Sequence, residues 1–382
     1  MPAIADCRSV TSCNVRSASA YAPGRVELLG NHTDYNRGVV LAAAIDRGIT
    51  ASGELRDDEV ITLVSDLSPN HVEVSLSDVR SQPEQRWANY PLGVVQQIQR
   101  LGHEIRGFDA RVSGDVPAGA GLSSSAALEV ATAGLLMKLH GLEIAPLEVA
   151  KLCQRAENEF VGVRSGLLDQ ATSVFGRAEH VVYLDCNSED VRTIPFPRGF
   201  ALVIVESGAK HSLLQSQYNA RREECAAAAK ALGAPSLREV TPGALEHARD
   251  SLDPLLYRRA AHIVGENDRV WRAVEAMETG DAAAIGALMN ASHESSRANF
   301  ENSTPELDLL VSIAQSIRGV LGSRLTGGGF GGGTVTLVEA KRAADVVEQL
   351  QKEYARRSGR KPAGFVCRIA DGAAVLWASA AT

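Results

Sequence analysis

The sequence predicts a mixed α/β protein in two lobes, on three observations. At 382 residues the chain is long for one hydrophobic core and suits two. Segments with the two-residue alternation of strands interleave with segments of helical period along the chain. A stretch holding Pro195 and Pro197 separates two strand-like runs and marks a lobe junction, so lobes over 1–180 and 181–382 are expected.

Composition narrows the class. Hydrophobic residues make up 45% and charged residues 22%, as in ordinary globular proteins. The net charge of −7 and a pI near 5.8 argue against a nucleic-acid or anionic-membrane surface as main partner. An anionic ligand would therefore be held by local donors, a few cations and a metal. Six cysteines stand without CxxC spacing, which reads as reduced thiols. Residues 1–21 lack the apolar run of a signal peptide, and no stretch has the apolar length that spans a bilayer, so a cytoplasmic protein is expected.

In chain order, residues 21–46 read as strand, polar loop and strand. Pro23-Gly24 is expected to turn the chain into Arg25-Val26-Glu27-Leu28-Leu29, and 39–45 is a buried strand. The loop between them carries Asn31, His32 and Asp34 on rigid flanks, where binding groups usually sit; a solvated hairpin tip is the alternative. Strands follow at 61–64 and 72–76, a helix opens at Trp87-Ala88-Asn89-Tyr90, and 108–112 is a strand.

Residues 114–130 then change from turn to helix. Pro117, Gly119 and Gly121 break regular structure, and Ser123, Ser124 and Ser125 precede the helix-favouring Ala126, Ala127, Leu128 and Glu129. A glycine-rich turn feeding a helix N-terminus offers unpaired N–H groups and partial positive charge, a site that suits phosphate. The alternative is a plain serine-capped helix. No lysine follows these glycines, so this is not the GxxxxGK[ST] loop.

A second helix spans 146–160, with Glu157 and Glu159 near its C-terminal end, where the dipole disfavours carboxylates and something positive should compensate one of them. Asp169 follows two leucines, as a helix cap or as a placed acid or base. Strands are expected at 181–184 and 201–205, and a helix over 215–232 with Lys210-His211 before it. Tyr218 lies on that helix's first turns, and Arg221-Arg222-Glu223-Glu224 forms a solvated face. Helices run from 245 to about 289. Gly327-Gly328-Gly329-Phe330-Gly331-Gly332-Gly333 holds too many glycines for a strand, and implies a backbone approached closely by another backbone or a ligand. A strand follows it, not a helix, so a dinucleotide fold is poorly supported. A helix at 344–355 and strands at 365–367 and 374–376 end the chain.

Residues 23–40, 114–128 and 325–337 resemble, in this order, the three motifs of the GHMP small-molecule kinases. The first is similar to the galactokinase signature GR-x-N-L-I-G-E-H-T-D-Y and stands here as Gly24-Arg25-Val26-Glu27-Leu28-Leu29-Gly30-Asn31-His32-Thr33-Asp34-Tyr35. Arg86-Trp87-Ala88-Asn89-Tyr90, Gly166-Leu167-Leu168-Asp169-Gln170, Tyr218-Asn219-Ala220-Arg221-Arg222 and Ala370-Asp371-Gly372-Ala373 also look galactokinase-like.

The resemblance implies a two-lobed fold with the active site between the lobes, and transfer of the γ-phosphoryl group of ATP to the anomeric hydroxyl of galactose. That chemistry needs backbone donors, a cation and Mg²⁺ more than covalent help. The resemblance implies that Pro117, Gly119, Ala120, Gly121, Leu122, Ser123, Ser124 and Ser125 hold the phosphates, and that Ser125 and Glu157 hold Mg²⁺ as hard oxygen ligands. Asp169 would orient or deprotonate the sugar hydroxyl beside Arg25. Trp87 and Tyr90 would neighbour adenine, or serve as core aromatics. Asn31, His32, Asp34, Gly166 and Tyr218 map to the sugar. Partners are then a sugar and ATP, with a monomer expected and a dimer as the alternative.

One departure stands out. Galactokinases have Asn and then Glu where this chain has Glu27 and Asn31, and in the family the Glu contacts the sugar's 6-hydroxyl. Asn31 carries no charge and can donate, which keeps open a kinase for galacturonate, N-acetylgalactosamine or arabinose. A catalytically silent galactose sensor is the rival of another class. Against it stand the intact Ser123-Ser124-Ser125-Ala126 and the presence of Arg25, Glu157 and Asp169.

Overall fold

The computed structural model describes residues 16–66, 68–117, 119, 121–209, 214–374 and 377, apart from the side chains of 214 and 215. Strands are β1 (Ser17–Leu29), β2 (Val39–Leu55), β3 (Val60–Ser65), β4 (Val72–Ser75), β5 (Phe108–Gly114), β6 (His180–Asp185), β7 (Asp190–Pro195), β8 (Phe200–Glu206), β9 (Val320–Thr326), β10 (Gly333–Glu339) and β11 (Gly364–Cys367). Helices are α1 (Asn89–Arg100), α2 (Ser124–His140), α3 (Pro146–Arg155), α4 (Leu168–Phe175), α5 (Leu214–Ala231), α6 (Pro242–His247), α7 (Pro254–Thr279), α8 (Ala282–Ser295), α9 (Pro305–Ser316) and α10 (Ala343–Ser358). The mixed α/β class is as expected.

Among the described residues two sheets form. The larger runs β4-β3-β5-β2-β6-β7, with β1 also paired to β2; the smaller runs β11-β8-β10-β9. The long β2 organises the first: it pairs antiparallel with β1, with β5 through 49–55 and with β6 through 39–42. The chain first enters the second sheet at Phe200, later than the expected 180/181 division. The reason is that β6 and β7 form a hairpin whose first strand completes the β2 edge. The Pro195–Pro197 stretch does lie at the passage between sheets.

Helix α2 is buried nearly all round, packed on β1, β2 and α4, which suits its almost wholly apolar composition. A second apolar cluster joins α5, α6 and α7, and a third joins the smaller sheet to α9 and α10.

Local readings need correction in four places. Pro23-Gly24 does not turn the chain: β1 runs through it with a register shift between Pro23 and Arg25. Gly24 is there for proximity, since a Cβ on it would lie 2.7 Å from the Leu122 carbonyl. Residues 221–224 are no solvated face. Arg221 donates to the Phe300 carbonyl, and Glu224 pairs at 2.5 Å with Arg259, which is only 1% exposed. The end of the second helix winds into a π-helical turn, Ala156–Val161. Of the strand expected at 374–376, Ala374 is helical and the other two residues lie outside the described ones, as do Lys210 and His211.

Strands β7 and β9 and helices α4 and α9 escaped the sequence reading. Edge strand β7 alternates weakly and is mostly polar. Helix α9 carried a signal that could have found it: Thr304 caps its N-terminus ahead of Pro305.

Candidate active site

The phosphate-type loop and the first-motif strand meet at Arg25. Its backbone N–H donates to the Leu122 carbonyl at 3.1 Å, and its Nη1 donates to the Gly121 carbonyl at 2.6 Å. The guanidinium also grips Asp169 on α4, Nη2 at 2.6 Å and Nε at 2.8 Å from the same Oδ1. Ser123 Oγ donates to the other oxygen, Oδ2, at 2.5 Å.

Ser123 therefore does not cap α2 with its side chain, the bland reading of that position. Its backbone sits in the left-handed region at φ 52°, uncommon for a residue with a Cβ, and its hydroxyl is turned to Asp169 instead. Gly119 (φ 80°) and Gly121 (φ 75°) supply the other left-handed turns. A Cβ on Gly121 would lie 2.8 Å from the Thr326 carbonyl, and one on Gly327 would lie 2.9 Å from the Gly121 carbonyl. The two glycine loops thus touch backbone to backbone, as the glycine count implied. Pro117, Gly119, Leu122 and Ser124 fall on this loop and the first turn of α2; Ala120 lies outside the described residues.

Behind Asp169 sits a pocket of carboxyl groups. Glu157 is buried; it accepts from Ser165 Oγ, from Gln170 Nε2 at 3.0 Å and from Ser125. Burial pushes its carboxyl up, and Asp169 adds to the rise. No ion pair reaches Glu157 among the described residues, whereas Glu159 has Arg100 and Gln97. The cation expected near these two residues serves Glu159 alone. Glu129 is fully enclosed, shares Gln170 Nε2 at 3.0 Å, and burial raises its carboxyl well above the usual range.

The remaining motif residues gather on the other side of Asp169. Asp34 sits so close to Gly166 that a Cβ there would collide with its carboxylate. Burial, then the Asp169 charge, pushes Asp34 up to about 7, against the N–H of Tyr35 at 2.9 Å. His32 Nε2 lies 2.9 Å from the Gly328 carbonyl and Nδ1 lies 2.8 Å from the Tyr35 hydroxyl. A carbonyl only accepts, so Nε2 carries the proton and Nδ1 accepts. Burial drops His32 to about 3, which keeps the ring neutral. The Tyr218 ring stands 4.9 Å from His32 and packs on Gly328. A cleft beside this group is lined by Asp34, Tyr35, Asn158, Ser165, Gly166 and Arg222.

Asn31 is not free in the same way. It has 0% exposure, and its amide donates to Glu27 Oε1 at 2.9 Å and to the Gly327 carbonyl at 2.7 Å. Trp87 and Tyr90 are half-buried at the head of α1 and pack on the main core with part of their surface.

Sequence reasoning missed Glu266 and Arg324, which arrive from distant segments. Glu266, on α7, accepts from the backbone N–H groups of Gly30 and Asn31 at 3.0 and 2.9 Å and so pins the sugar-motif loop. Burial pushes Glu266 up, but Arg269 leads the charges that hold it down at about 2. Helical period placed α7 but could not say that one of its buried positions was a carboxylate with a long-range partner.

The donor set fits a divalent cation. Glu157 is a buried carboxylate without an ion-pair partner among the described residues, Ser125 offers a second hard oxygen, and the charges of Asp169 and Glu129 act on the same spot. Among the described residues no group of three His, Cys, Asp or Glu converges as a ready-made metal cage. No helix among the described residues is long and apolar enough to cross a membrane.

Residues 12–54 match the galactokinase galactose-binding signature, 89–177 the GHMP kinases N terminal domain and 273–356 the GHMP kinases C terminal domain. A galactokinase of Roseiflexus sp. is 44% identical over 92% of this chain and 91% of its own length. One from Glaesserella parasuis is 40% identical over 94% of each. The crystal structure of Lactococcus lactis galactokinase complexed with galactose superposes with a TM-score of 0.90 at 34% identity, covering 95% of this chain and 96% of that one. A mevalonate kinase, at 19% identity and a TM-score of 0.66, shares the fold. With such relatives spanning nearly its whole length, the chain belongs to the galactokinase family of the GHMP kinases.

Proposed function

We propose that this chain transfers the γ-phosphoryl group of ATP to the anomeric hydroxyl of galactose, giving galactose 1-phosphate and ADP. The observation that carries the reading is Asp169. It is held by Arg25 on one oxygen and touched by Ser123 of the phosphate-type loop on the other, with Asp34, Gly166, His32 and Tyr218 beside it. The sugar O1 attacks the γ-phosphorus, the bond to the β-bridging oxygen breaks, and ADP leaves with that electron pair. Asp169 orients the hydroxyl and takes its proton. Arg25 neutralises charge on the carboxylate and, by its bond to the Gly121 carbonyl, fixes the loop against it.

Helix α2 directs the partial charge of its N-terminus and the N–H groups of its first turn at the phosphates. Ser125 and Glu157 would hold Mg²⁺, which when bound supplies charge neutralisation for the phosphates. Asp34 and Tyr218 bind sugar hydroxyls, and the neutral His32 holds the wall of the pocket through the Gly328 carbonyl. Trp87 and Tyr90 lie beside the base. A cytoplasmic monomer is part of this reading; Cys153, Cys186, Cys225 and Cys367 are free, as a reducing setting requires.

Asn31, in place of the family's carboxylate, favours a second reading in which a related sugar is preferred. ATP-dependent phosphorylation of galactose, galacturonate, N-acetylgalactosamine, glucose and arabinose with Mg²⁺ decides between them. Highest kcat/KM on galactose is the expected result. Preference for another sugar moves the substrate and keeps the chemistry, and binding without turnover on all five would overturn the kinase reading.

A further inference from the structure

A chain of buried polar groups runs behind the sugar side of the cleft, and only its last members, His32 and Tyr218, enter the reading above. Arg324 has 0% exposure. Its Nη1 donates to Glu27 Oε1 at 3.0 Å and to the Leu28 carbonyl at 3.1 Å, while Nε and Nη2 find no partner. Glu27 Oε1 accepts in turn from Asn31 Nδ2 at 2.9 Å, and the same amide donates to the Gly327 carbonyl at 2.7 Å. Asn31 Oδ1 accepts from Asn302 Nδ2 at 2.8 Å, and that amide also reaches the Gly328 carbonyl at 3.2 Å. Gly328 finally holds His32 Nε2 and supports the Tyr218 ring.

The order of residue types along this chain is forced. Arg324 stays charged in any protein environment, so its burial demands one anion, and Glu27 is that anion. The next position must give one N–H to Glu27 and another to a carbonyl, which an amide does and a carboxylate cannot. A carboxylate at 31 would face the Glu27 carboxylate on one side and the Gly327 carbonyl oxygen on the other. The swap of types between 27 and 31 is therefore one change, not two.

We propose that Glu27 and Asn31 are a coupled pair of positioning residues that determines sugar specificity. Glu27, anchored on Arg324, aims the Asn31 amide. Asn31 sets the Gly327 and Gly328 backbone against His32 and Tyr218, and so shapes the pocket wall that faces the sugar. The inference rests on the sugar-kinase reading above.

A double-mutant cycle tests it: Asn31→Glu, Glu27→Asn and the two together, each with KM for sugar, KM for ATP and a melting temperature. Asn31→Glu alone is expected to raise the sugar KM more than thirtyfold with the ATP KM within threefold. The double variant is expected to regain at least tenfold of that loss. A double variant as impaired as the product of the singles, or an Asn31→Glu sugar KM within twofold of wild type, overturns the proposal. Should Glu27→Asn fail to fold, Asn31→Asp replaces it, keeping the side-chain shape and removing the donors. A raised sugar KM with the ATP KM within threefold then supports the pair, and an unchanged sugar KM overturns it. The cycle is run on whichever panel sugar the wild type phosphorylates, so failure of galactose as substrate counts against the function reading and not against the pair.

Discussion

Arg25 places two nitrogens on a single oxygen of Asp169, Nη2 at 2.6 Å and Nε at 2.8 Å from Oδ1, and leaves Oδ2 to the Ser123 hydroxyl. The two carboxylate oxygens thus have different employment. Oδ1 is fixed by charge-assisted bonds that set the orientation of the group. Oδ2 holds one neutral donor, from the glycine-rich loop that opens α2. Under the proposed function, a sugar hydroxyl approaching Asp169 would compete with Ser123 for Oδ2, and the two substrates would meet at that one oxygen.

Asp169→Asn should therefore cost turnover and spare nucleotide binding. The amide keeps the size but loses the base and the charge facing Arg25. Proton transfer by a positioned side chain contributes about 10²- to 10⁴-fold, so kcat should fall by about that factor, with the ATP KM within about threefold. Steady-state kinetics on the preferred sugar checks both. Turnover unchanged to within a few-fold would remove Asp169 from the mechanism.

Asp34 offers a pH test. Burial and the Asp169 charge put its carboxyl at about 7 in the folded chain, above the ordinary 3.8 of the unfolded one. The folded state therefore holds a proton that the unfolded state releases. Its stabilising share is complete below pH 4 and is lost as the pH rises to about 7 and just beyond. Asp34→Asn should flatten the fall in melting temperature over that window and melt higher than wild type at pH 8. The same variant should raise the sugar KM, because the amide cannot match an ionised acceptor. Melting curves of both chains from pH 5 to 8 that run parallel would refute the assignment.

How much of this was legible in the sequence depended on the range of each interaction. Local patterns worked: the glycine turn before α2, the glycine-dense stretch between β9 and β10 and the helical period of α1 all appear where expected. The resemblance to the GHMP kinase motifs also brought Arg25, Ser123 and Asp169 into the same inference before any contact was visible. Long-range polar partners were illegible. Nothing in the local pattern singled out Arg324 or Glu266, yet each is buried against the first motif, about 235 to 297 positions away. Arg221 and Glu224 failed for the same reason, because the buried Arg259 that claims Glu224 lies on another helix. Pro23-Gly24 misled because both turns and bulges use glycine, and only the nearby Leu122 carbonyl separates the two.

Glu157 should set the metal requirement. Its carboxyl is raised by burial and has no cation among the described residues, so an arriving divalent ion relieves a charge the fold leaves uncompensated. Glu157→Gln is expected to raise the Mg²⁺ concentration for half-maximal rate about tenfold or more. It should also leave the metal-free chain at least as heat-stable as wild type, since a buried carboxyl is replaced by a neutral amide of similar shape. An unchanged Mg²⁺ curve would place the ion elsewhere.

Gly121 tests the contact between the two glycine loops. Its φ of 75° costs a residue with a Cβ about 1–2 kcal/mol, and the added methyl would lie 2.8 Å from the Thr326 carbonyl. That carbonyl belongs to β9, whose Thr326 hydroxyl is bonded to the Glu27 backbone at 3.0 and 3.1 Å, so the strand cannot retreat without loosening the first motif. The strain must then move the loop, and with it the Gly121 carbonyl that Arg25 holds at 2.6 Å. Gly121→Ala is expected to lower kcat at least tenfold, raise the ATP KM and drop the melting temperature together. By contrast, Gly119 has a similar φ of 80° and open space around it. Gly119→Ala should therefore cost only the backbone term and retain more activity than Gly121→Ala. Equal losses in the two variants would mean that left-handed backbone alone, and not the packing of one loop on the other, governs this corner of the site.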